Sequence, residues 1–117
     1  MAIVVVEDKL TKEDFEKARE DYKIYIKITI DLKKETVVLG GEYHADAEKL
    51  LLERGSRQEN IWGGGVNLET GNFETNAIIN LRRGNNSTEI LDPEKRKEFL
   101  RIVRRVLREH VKQRKFS

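Results

Sequence analysis

Cysteine is absent from the sequence, so every class of protein that depends on a thiol is excluded. These classes are disulfide-stapled folds, thiolate metal sites, iron–sulfur proteins and enzymes with a cysteine nucleophile. The chain also lacks any apolar run near the ~20 residues that a membrane-spanning helix needs. Its first apolar segment is too short, and the residues after it too acidic, for a secretory signal. We therefore expect a soluble, cytoplasmic protein with no membrane partner.

Charge, by contrast, is abundant. Charged residues make up 38% of the 117 residues, and hydrophobic residues make up another 38%. A chain of this length and apolar content can bury one core, so we predict a single domain over residues 1–117. A composition rich in lysine, glutamate and arginine, without cysteine, is also compatible with a thermophilic source.

The apolar residues recur with the periods of strands and helices. Isoleucines at positions 24, 26, 28 and 30 alternate with other side chains, which is typical of a half-buried strand. Helical spacing and capping residues predict helices over about residues 12–21, from 45 or 46 to 54, and over 93–112. The predicted order is β-α-β-β-α-β-β-α, an α+β fold whose helices cover one face of an antiparallel sheet.

The last predicted helix carries an apolar stripe on one side and a basic face on the other. Residues 82–117 hold 12 lysines and arginines against 5 aspartates and glutamates, a balance of +7. His110 lies within the apolar stripe, so we expect it to be a hydrogen-bonded core residue. The basic face includes Arg101, Arg104, Arg105, Arg108 and Lys112.

Three interpretations of this basic face stay open. It could contact nucleic-acid phosphates, it could be a solvated surface, or it could meet acidic residues of the first helix in a dimer. No nucleic-acid motif accompanies the face, and no aromatic residue lies among its arginines for base stacking. The solvated and homo-oligomer interpretations together are therefore favoured over a nucleic-acid partner.

Polar residues are densest between positions 40 and 87. Glu42, His44 and Asp46 lie where a strand is predicted to end and a helix to begin. A histidine with two nearby carboxylates is suited to acid–base chemistry or to a divalent metal. Because the spacing matches no zinc pattern, we predict no metal site, and the sequence identifies no cofactor. The alternative is that Asp46 caps the helix while the other two make ordinary polar contacts.

Two further strands are predicted over residues 58–68 and 73–81. The first contains three consecutive glycines at 63–65, which favour a bulge or bend beside Trp62. The same glycines would also allow a backbone or a ligand to approach closely.

All seven asparagines fall in one stretch, between positions 60 and 86. In the strand predicted over 73–81, Asn76 and Asn80 would share a face with Glu74 and Arg82. That face would be either a polar recognition surface or an ordinary exposed side of the sheet.

Several short motifs occur across this half of the chain. They are Gly40-Gly41-Glu42-x-His44-Ala45-Asp46, Leu51-Leu52-x-x-Gly55-Ser56-x-Gln58, Trp62-Gly63 with Asn67, Ile79-Asn80-x-Arg82, Gly84-Asn85-x-Ser87 and Asp92-Pro93-x-x-Arg96. Together they resemble a small prokaryotic family known only as a domain of unknown function, over roughly residues 36–110. The resemblance implies no activity, but it implies that the polar residues of these motifs belong to one set.

Two hypotheses of function follow, and a purely structural polar network is the third possibility. The first is a small-ligand or enzymatic site built from segments 40–46, 56–67 and 76–87, with Glu42, His44 and Asp46 as the catalytic residues. Its ligand-binding residues would be Gln58, Trp62, Asn67, Asn80, Arg82 and Ser87. The second is a binding module that uses the basic helix on nucleic acid or on an acidic protein.

Overall fold

The computed structural model describes residues 3–111, which form three helices and a five-stranded antiparallel sheet. The strands are β1 (Ile3–Val6), β2 (Tyr25–Asp31), β3 (Thr36–Gly40), β4 (Ile61–Asn67) and β5 (Phe73–Glu74). The helices are α1 (Lys12–Asp21), α2 (His44–Glu53) and α3 (Pro93–Leu107), and 3-10 turns cover Gln58–Asn60 and Ile78–Asn80. The sheet order is β1-β3-β2-β4-β5. The predicted α+β class, antiparallel sheet and element order are confirmed.

The sheet buries apolar residues on both faces, and this decides where the helices lie. β3 is buried along its whole length. Because successive side chains of a strand point to opposite faces, such a run needs a cover on each side. One face holds the larger core, to which α1 and α3 contribute. On the other face, Val38 and Ile61 pack with Ala47 and Leu51 of α2, so α2 lies opposite the other two helices, unlike the expected single covered face.

Local signals set the ends of the helices as expected. The Thr11 hydroxyl accepts a hydrogen bond from the Asp14 N–H at 3.1 Å and caps α1. Asp92 caps α3 in the same way, with Pro93 at its first position. After α2, Gly55 takes a φ of +96°, the left-handed conformation that glycine adopts most readily.

The last helix is shorter than predicted. α3 ends at Leu107 and is followed by a turn that contains His110. The His110 imidazole donates a hydrogen bond from Nε2 to the Leu10 carbonyl at 3.0 Å and stacks near the Phe15 ring, which confirms its structural role. Lys112, predicted as part of the basic face, lies outside the described residues. None of the helices within residues 3–111 is long and apolar enough to cross a membrane.

The prediction of a bulge at the three glycines is wrong. β4 pairs with β2 in continuous register from Ile61 opposite Asp31 to Asn67 opposite Tyr25. Close packing is the reason for the glycines. A Cβ on Gly64 would stand 2.8 Å from the Phe99 ring, and one on Gly63 would stand 2.7 Å from Ala77 Cβ. The close approach that the glycines permit is therefore made by the protein itself.

The strand predicted over 73–81 is also wrong beyond Glu74. After β5 the chain leaves the sheet, and residues 75–91 fold back on themselves through two isolated bridges, Asn76 with Glu89 and Arg82 with Asn85. Two buried asparagine side chains replace the strand hydrogen bonds in this segment, as described below. Asn76 is exposed and Asn80 is fully buried, so they do not share a polar sheet face.

Candidate functional site

His44 begins α2 and reaches across to the sheet. Its Nε2 lies 2.7 Å from the carbonyl oxygen of Gly64, and since a carbonyl can only accept, Nε2 carries the proton. Burial of the ring lowers the pKa of His44, the Gly64 hydrogen bond opposes that effect, and the charge of Lys27 adds to it. The imidazole is therefore neutral near pH 7, a state that suits a base or a structural donor equally.

The two carboxylates predicted to act with His44 do not join it. Glu42 and Asp46 are exposed, and neither carboxylate forms a hydrogen bond or ion pair with another residue of the described chain. The residue that caps α2 is Tyr43, with no side-chain hydrogen bond, so Asp46 stands in the first turn and does not cap the helix. Within residues 3–111, no group of three histidine, aspartate or glutamate side chains is placed to hold a metal ion.

Asn80 acts as a substitute for a neighbouring strand. Its Oδ1 accepts from the N–H of Gly63 at 2.9 Å, and its Nδ2 donates to the carbonyl of the same residue at 3.0 Å. Nδ2 also reaches the carbonyls of Thr88 at 2.9 Å and Thr75 at 3.4 Å. β5 pairs with β4 only at Gly65 and Val66, so the amide of Asn80 satisfies the β4 backbone where that strand is missing.

Asn85 is the second buried amide of this segment, and sequence reasoning left it outside the candidate site. Its Nδ2 donates to the carbonyls of Asn80, Ser87 and Glu89 at 2.8 to 3.0 Å, and its Oδ1 accepts from the N–H of Leu91 at 2.9 Å. The match of Gly84-Asn85-x-Ser87 to the family motif was the signal available for it. Ser87 itself bonds only locally, with its hydroxyl accepting from the Glu89 N–H at 3.0 Å.

Arg82 lies over Trp62, with its guanidinium carbon 4.0 Å from the ring centroid. Its terminal nitrogens donate to the carbonyls of Gln58, Ile61 and Ile79 at 2.7 to 2.9 Å. Burial is the main effect on this group and lowers the pKa of Arg82 from its ordinary value. The side chain thus connects both 3-10 turns to the start of β4 through three hydrogen bonds, while its Nε is buried without a partner in the described chain.

The remaining predicted ligand-binding residues, Asn67 and Gln58, do not join the side chains around Gly63. Asn67 lies at the far end of β4, four residues or about 13 Å from Gly63 at the usual rise of a strand. Its side chain accepts from the N–H groups of Glu69 and Thr70 at 2.9 and 3.2 Å and so shapes a turn. Gln58 is exposed, and its bond to Arg82 uses its backbone carbonyl.

The structure thus brings four predicted residues to one stretch of β4, between Ile61 and Gly64. They are His44, Trp62, Asn80 and Arg82. Each directs its polar atoms mainly to backbone groups, which is the arrangement of a structural network. The catalytic and ligand-binding assignments stay predictions.

The exposed side of α3 carries a row of basic side chains, unlike the polar network on β4. Lys97, Arg101, Arg104 and Arg108 follow one another at spacings of four, three and four residues, so they lie along one stripe. Arg101 is bound by Glu98 at 2.8 Å and by Glu35 at 3.0 Å. Beside this stripe, Arg105 donates to the carbonyl of Asp8 at 2.8 Å.

Arg104 and Arg108 differ from these neighbours. Both are exposed, and neither has a hydrogen bond or ion pair through its side chain to any residue in the range 3–111. The predicted basic face is therefore present from Lys97 to Arg108, and its two unpaired guanidinium groups stand one helical turn apart.

The comparisons with known proteins concern the family and give no activity. No curated protein and no solved structure matches the chain. The family resemblance seen in the motifs of residues 36–110 is confirmed, and the match extends towards the start of the chain to take in β1 and α1. The chain belongs to the family described as Protein of unknown function (DUF5674), whose model matches residues 4–106.

Proposed function

We propose that this protein is a nucleic-acid-binding module that contacts the phosphate backbone with the exposed face of α3. The observation that carries the proposal is the pair Arg104 and Arg108, which are exposed, one turn apart and without anionic partners in the described chain. Arginine suits this role because its planar guanidinium group can donate two parallel hydrogen bonds to a phosphate.

Charge repulsion along α3 supports the proposal. Arg101 with Arg105, and Arg104 with Arg108, are like charges four residues apart, and each such pair destabilises a helix by about 0.2–0.5 kcal/mol. The acidic residues Glu35 and Glu98 relieve this repulsion around Arg101. No described carboxylate does so at Arg104 and Arg108. A polyanion placed along this stripe would supply the missing counter-charges.

The length of the stripe also fits contact with the phosphate backbone of a nucleic acid. From Lys97 to Arg108 it extends ~16 Å at 1.5 Å per residue. A duplex carries about one phosphate charge per 1.7 Å of its axis, so a stripe of this length can meet several phosphates. No aromatic side chain lies on the stripe, so contacts to the backbone are expected without base stacking or sequence preference.

The proposal reverses the order of preference given by the sequence alone. The competing ligand site would rely on Asn80 and Arg82, whose polar atoms bond mainly to the backbone, apart from the Arg82 Nε, which is buried without a partner. A cytoplasmic location follows from a nucleic-acid partner and is part of the proposal. Self-association and a thermophilic source remain predictions.

Fluorescence anisotropy with short labelled duplex and single-stranded oligonucleotides tests the proposal. Binding should weaken steeply as salt rises from about 50 to 200 mM, because phosphate contacts release condensed counterions. The double variant Arg104→Gln/Arg108→Gln should bind more weakly, and its salt slope should fall by about 2.

The matched control is Lys49→Gln/Arg57→Gln, which removes the same charge from exposed positions in and just after α2. This control should bind like the unmodified protein. If both double variants lose affinity equally, net charge and not the α3 stripe would explain the binding. Tighter binding to polyglutamate than to either oligonucleotide would point to an acidic protein partner and reject nucleic acid.

A further inference from the structure

We propose a second binding site, for the phosphate group of a small molecule, in a cavity between the end of α2 and the sheet. The cavity has a volume of about 340 Å³, at the small end of the range for ligand pockets. It is lined by Glu7, Lys34, Thr36, Leu51, Arg54 and Ser56. It lies on the α2 face of the sheet, so it is independent of the α3 stripe on the other face.

The fold brings three separate segments to this cavity. β1 pairs with β3 in a register that ends with Val6 opposite Val37, so Glu7 continues towards Thr36. The left-handed Gly55 turns the chain after α2, and the next residue, Ser56, comes over the same strands. Lys34 arrives from the turn between β2 and β3, and its Nζ lies 3.4 Å from where a Cβ on Gly55 would stand.

Two hydroxyl groups line the cavity without hydrogen-bond partners of their own. Thr36 and Ser56 are only 7% and 8% exposed, yet neither hydroxyl bonds to any residue that the structure describes. Neither hydroxyl oxygen is itself buried, so both are open to solvent at the cavity and can donate a hydrogen bond to a bound ligand.

The positively charged side chains that line the cavity indicate a negatively charged ligand. The Lys34 ammonium has no ion pair or hydrogen bond within residues 3–111. Arg54 is paired with Glu7, but its guanidinium carries five N–H groups and can hold a second anion at the same time. The Arg54–Glu7 pair thereby orients the guanidinium beside the cavity.

The number of donors favours phosphate over carboxylate. Arg54, Lys34 and the hydroxyls of Thr36 and Ser56 together offer more donors than the two oxygens of a carboxylate use. The three terminal oxygens of a phosphate monoester are strong acceptors that can use all of them.

A buried carboxylate beside the site orders the turn that carries Lys34. Asp31 lies opposite Thr36 in the β2–β3 register and is 1% exposed. Its Oδ1 accepts from the N–H groups of Lys33 and Lys34 at 2.9 and 3.0 Å. Asp31 does not line the cavity, so it positions Lys34 without contacting the ligand, and the class we infer is a phosphate monoester of a small molecule.

Amide chemical shifts followed during titration test this site. The probes are inorganic phosphate, glycerol phosphate and acetate, added at constant ionic strength. We expect saturable shifts at the amides of Lys34, Thr36, Gly55 and Ser56 with both phosphate probes. Acetate should bind more weakly than either.

Variants separate this site from non-specific anion binding. Arg54→Gln and Lys34→Gln should each weaken phosphate binding by about tenfold, the usual value of a charged hydrogen bond. The control Lys33→Gln removes a neighbouring exposed charge that does not line the cavity and should leave the affinity unchanged. Ser56→Ala should weaken binding by a smaller factor while the spectrum otherwise keeps its dispersion.

Three results would overturn the proposal. They are amide chemical shifts that do not saturate with phosphate, equal losses of phosphate affinity in Lys33→Gln and Arg54→Gln, and acetate binding as tightly as phosphate. None of them bears on nucleic-acid binding by α3, because the two tests use variants on opposite faces of the sheet.

Discussion

The side-chain amide of Asn80 forms two hydrogen bonds with the main chain of Gly63, one to its N–H at 2.9 Å and one to its carbonyl at 3.0 Å. This is the pattern that a residue of a neighbouring strand would make. The amide therefore continues the sheet beyond the short strand β5. It also anchors the 75–91 segment to β4, because its Nδ2 binds Thr88 and Thr75 as well.

Asn80→Asp is expected to destabilise the protein by about 3 kcal/mol or more. A carboxylate keeps the acceptor for Gly63 but loses the donor, and it places an unpaired charge in a fully buried position. Urea unfolding followed by circular dichroism measures the loss. Asn76→Asp is the control: Asn76 is exposed, and the change should remove about 1 kcal/mol or less. Similar losses in both variants would contradict the role assigned to Asn80.

The stability of the fold should depend on pH through His44. Its pKa in the folded state is lowered, mainly by burial, from the ordinary 6.5. Above about pH 6.5 both folded and unfolded chains carry neutral imidazole, so His44 makes no difference to stability. As the pH falls below that value the unfolded chain binds the proton first, and the free energy of unfolding decreases.

His44→Gln separates this effect from other titrating groups. Glutamine keeps an N–H donor for the Gly64 carbonyl and cannot be protonated in this range. The free energies of unfolding of variant and unmodified protein should converge at high pH, once a constant offset is removed, and diverge below pH 6.5. A measured His44 pKa at or above 6.5, from imidazole NMR signals, would reject the explanation.

Tyr25 should titrate at an unusually high pH for a tyrosine. Burial raises the pKa of Tyr25 to about 12, and the charge of Glu74 and a hydrogen bond to it act in the same direction. Since the folded state holds this proton more tightly than the unfolded state, the resulting stability is complete below pH 10 and is lost as pH rises towards 12.

Ultraviolet titration of the phenolates provides the measurement. One tyrosine should ionise near pH 12, and Glu74→Gln should move it to a lower pH by removing the negative charge. If no tyrosine ionises near pH 12 in the unmodified protein, the burial of Tyr25 and its contact with Glu74 are contradicted.

Arg104→Glu is expected to remove nucleic-acid binding while it leaves the stability of the fold nearly unchanged. The glutamate would face Arg108 four residues on and Arg101 three residues back, which turns two repulsive spacings into attractive ones. Arg104 lies in the last turn of α3, where a negative charge opposes the helix dipole by about 0.3–1 kcal/mol, so the two effects offset each other. Urea unfolding should therefore change by about 0.5 kcal/mol or less, with anisotropy measured on the same sample. A variant that keeps its affinity would contradict the proposed contact.

Much of the framework follows from local residue patterns. The alternating isoleucines of β2, the Thr11 and Asp92 caps and the left-handed Gly55 each act over a few residues, so their effects are visible in the chain itself. The match to the family motifs likewise held. The consecutive apolar residues of β3 also indicated burial on both faces, and hence a helix on each, although the sequence analysis placed all the helices on one face.

Contacts between residues distant in the sequence decided the features that local patterns did not predict. Asn76 and Asn80 have the same local pattern in a predicted strand, but one is exposed and the other buried, because β5 ends at Glu74 and the Asn80 amide then bonds to the Gly63 backbone. Gly63 and Gly64 are explained by Ala77 and Phe99, which are distant in sequence. Likewise, Arg101 and Arg105 of α3 find partners in Glu35 and Asp8, far along the chain.

The sequence by itself determined the fold class, the order of elements and the presence of a basic helix, since period and capping are properties of neighbouring residues. Only the tertiary structure decided which polar groups form hydrogen bonds or ion pairs within the chain and which do not. A hydrogen bond or ion pair depends on distance in space, and the chain order does not specify that distance. Asn80 and Arg82 thus bond mainly to the backbone, while the side chains of Arg104, Arg108 and Lys34 form no ion pair within residues 3–111.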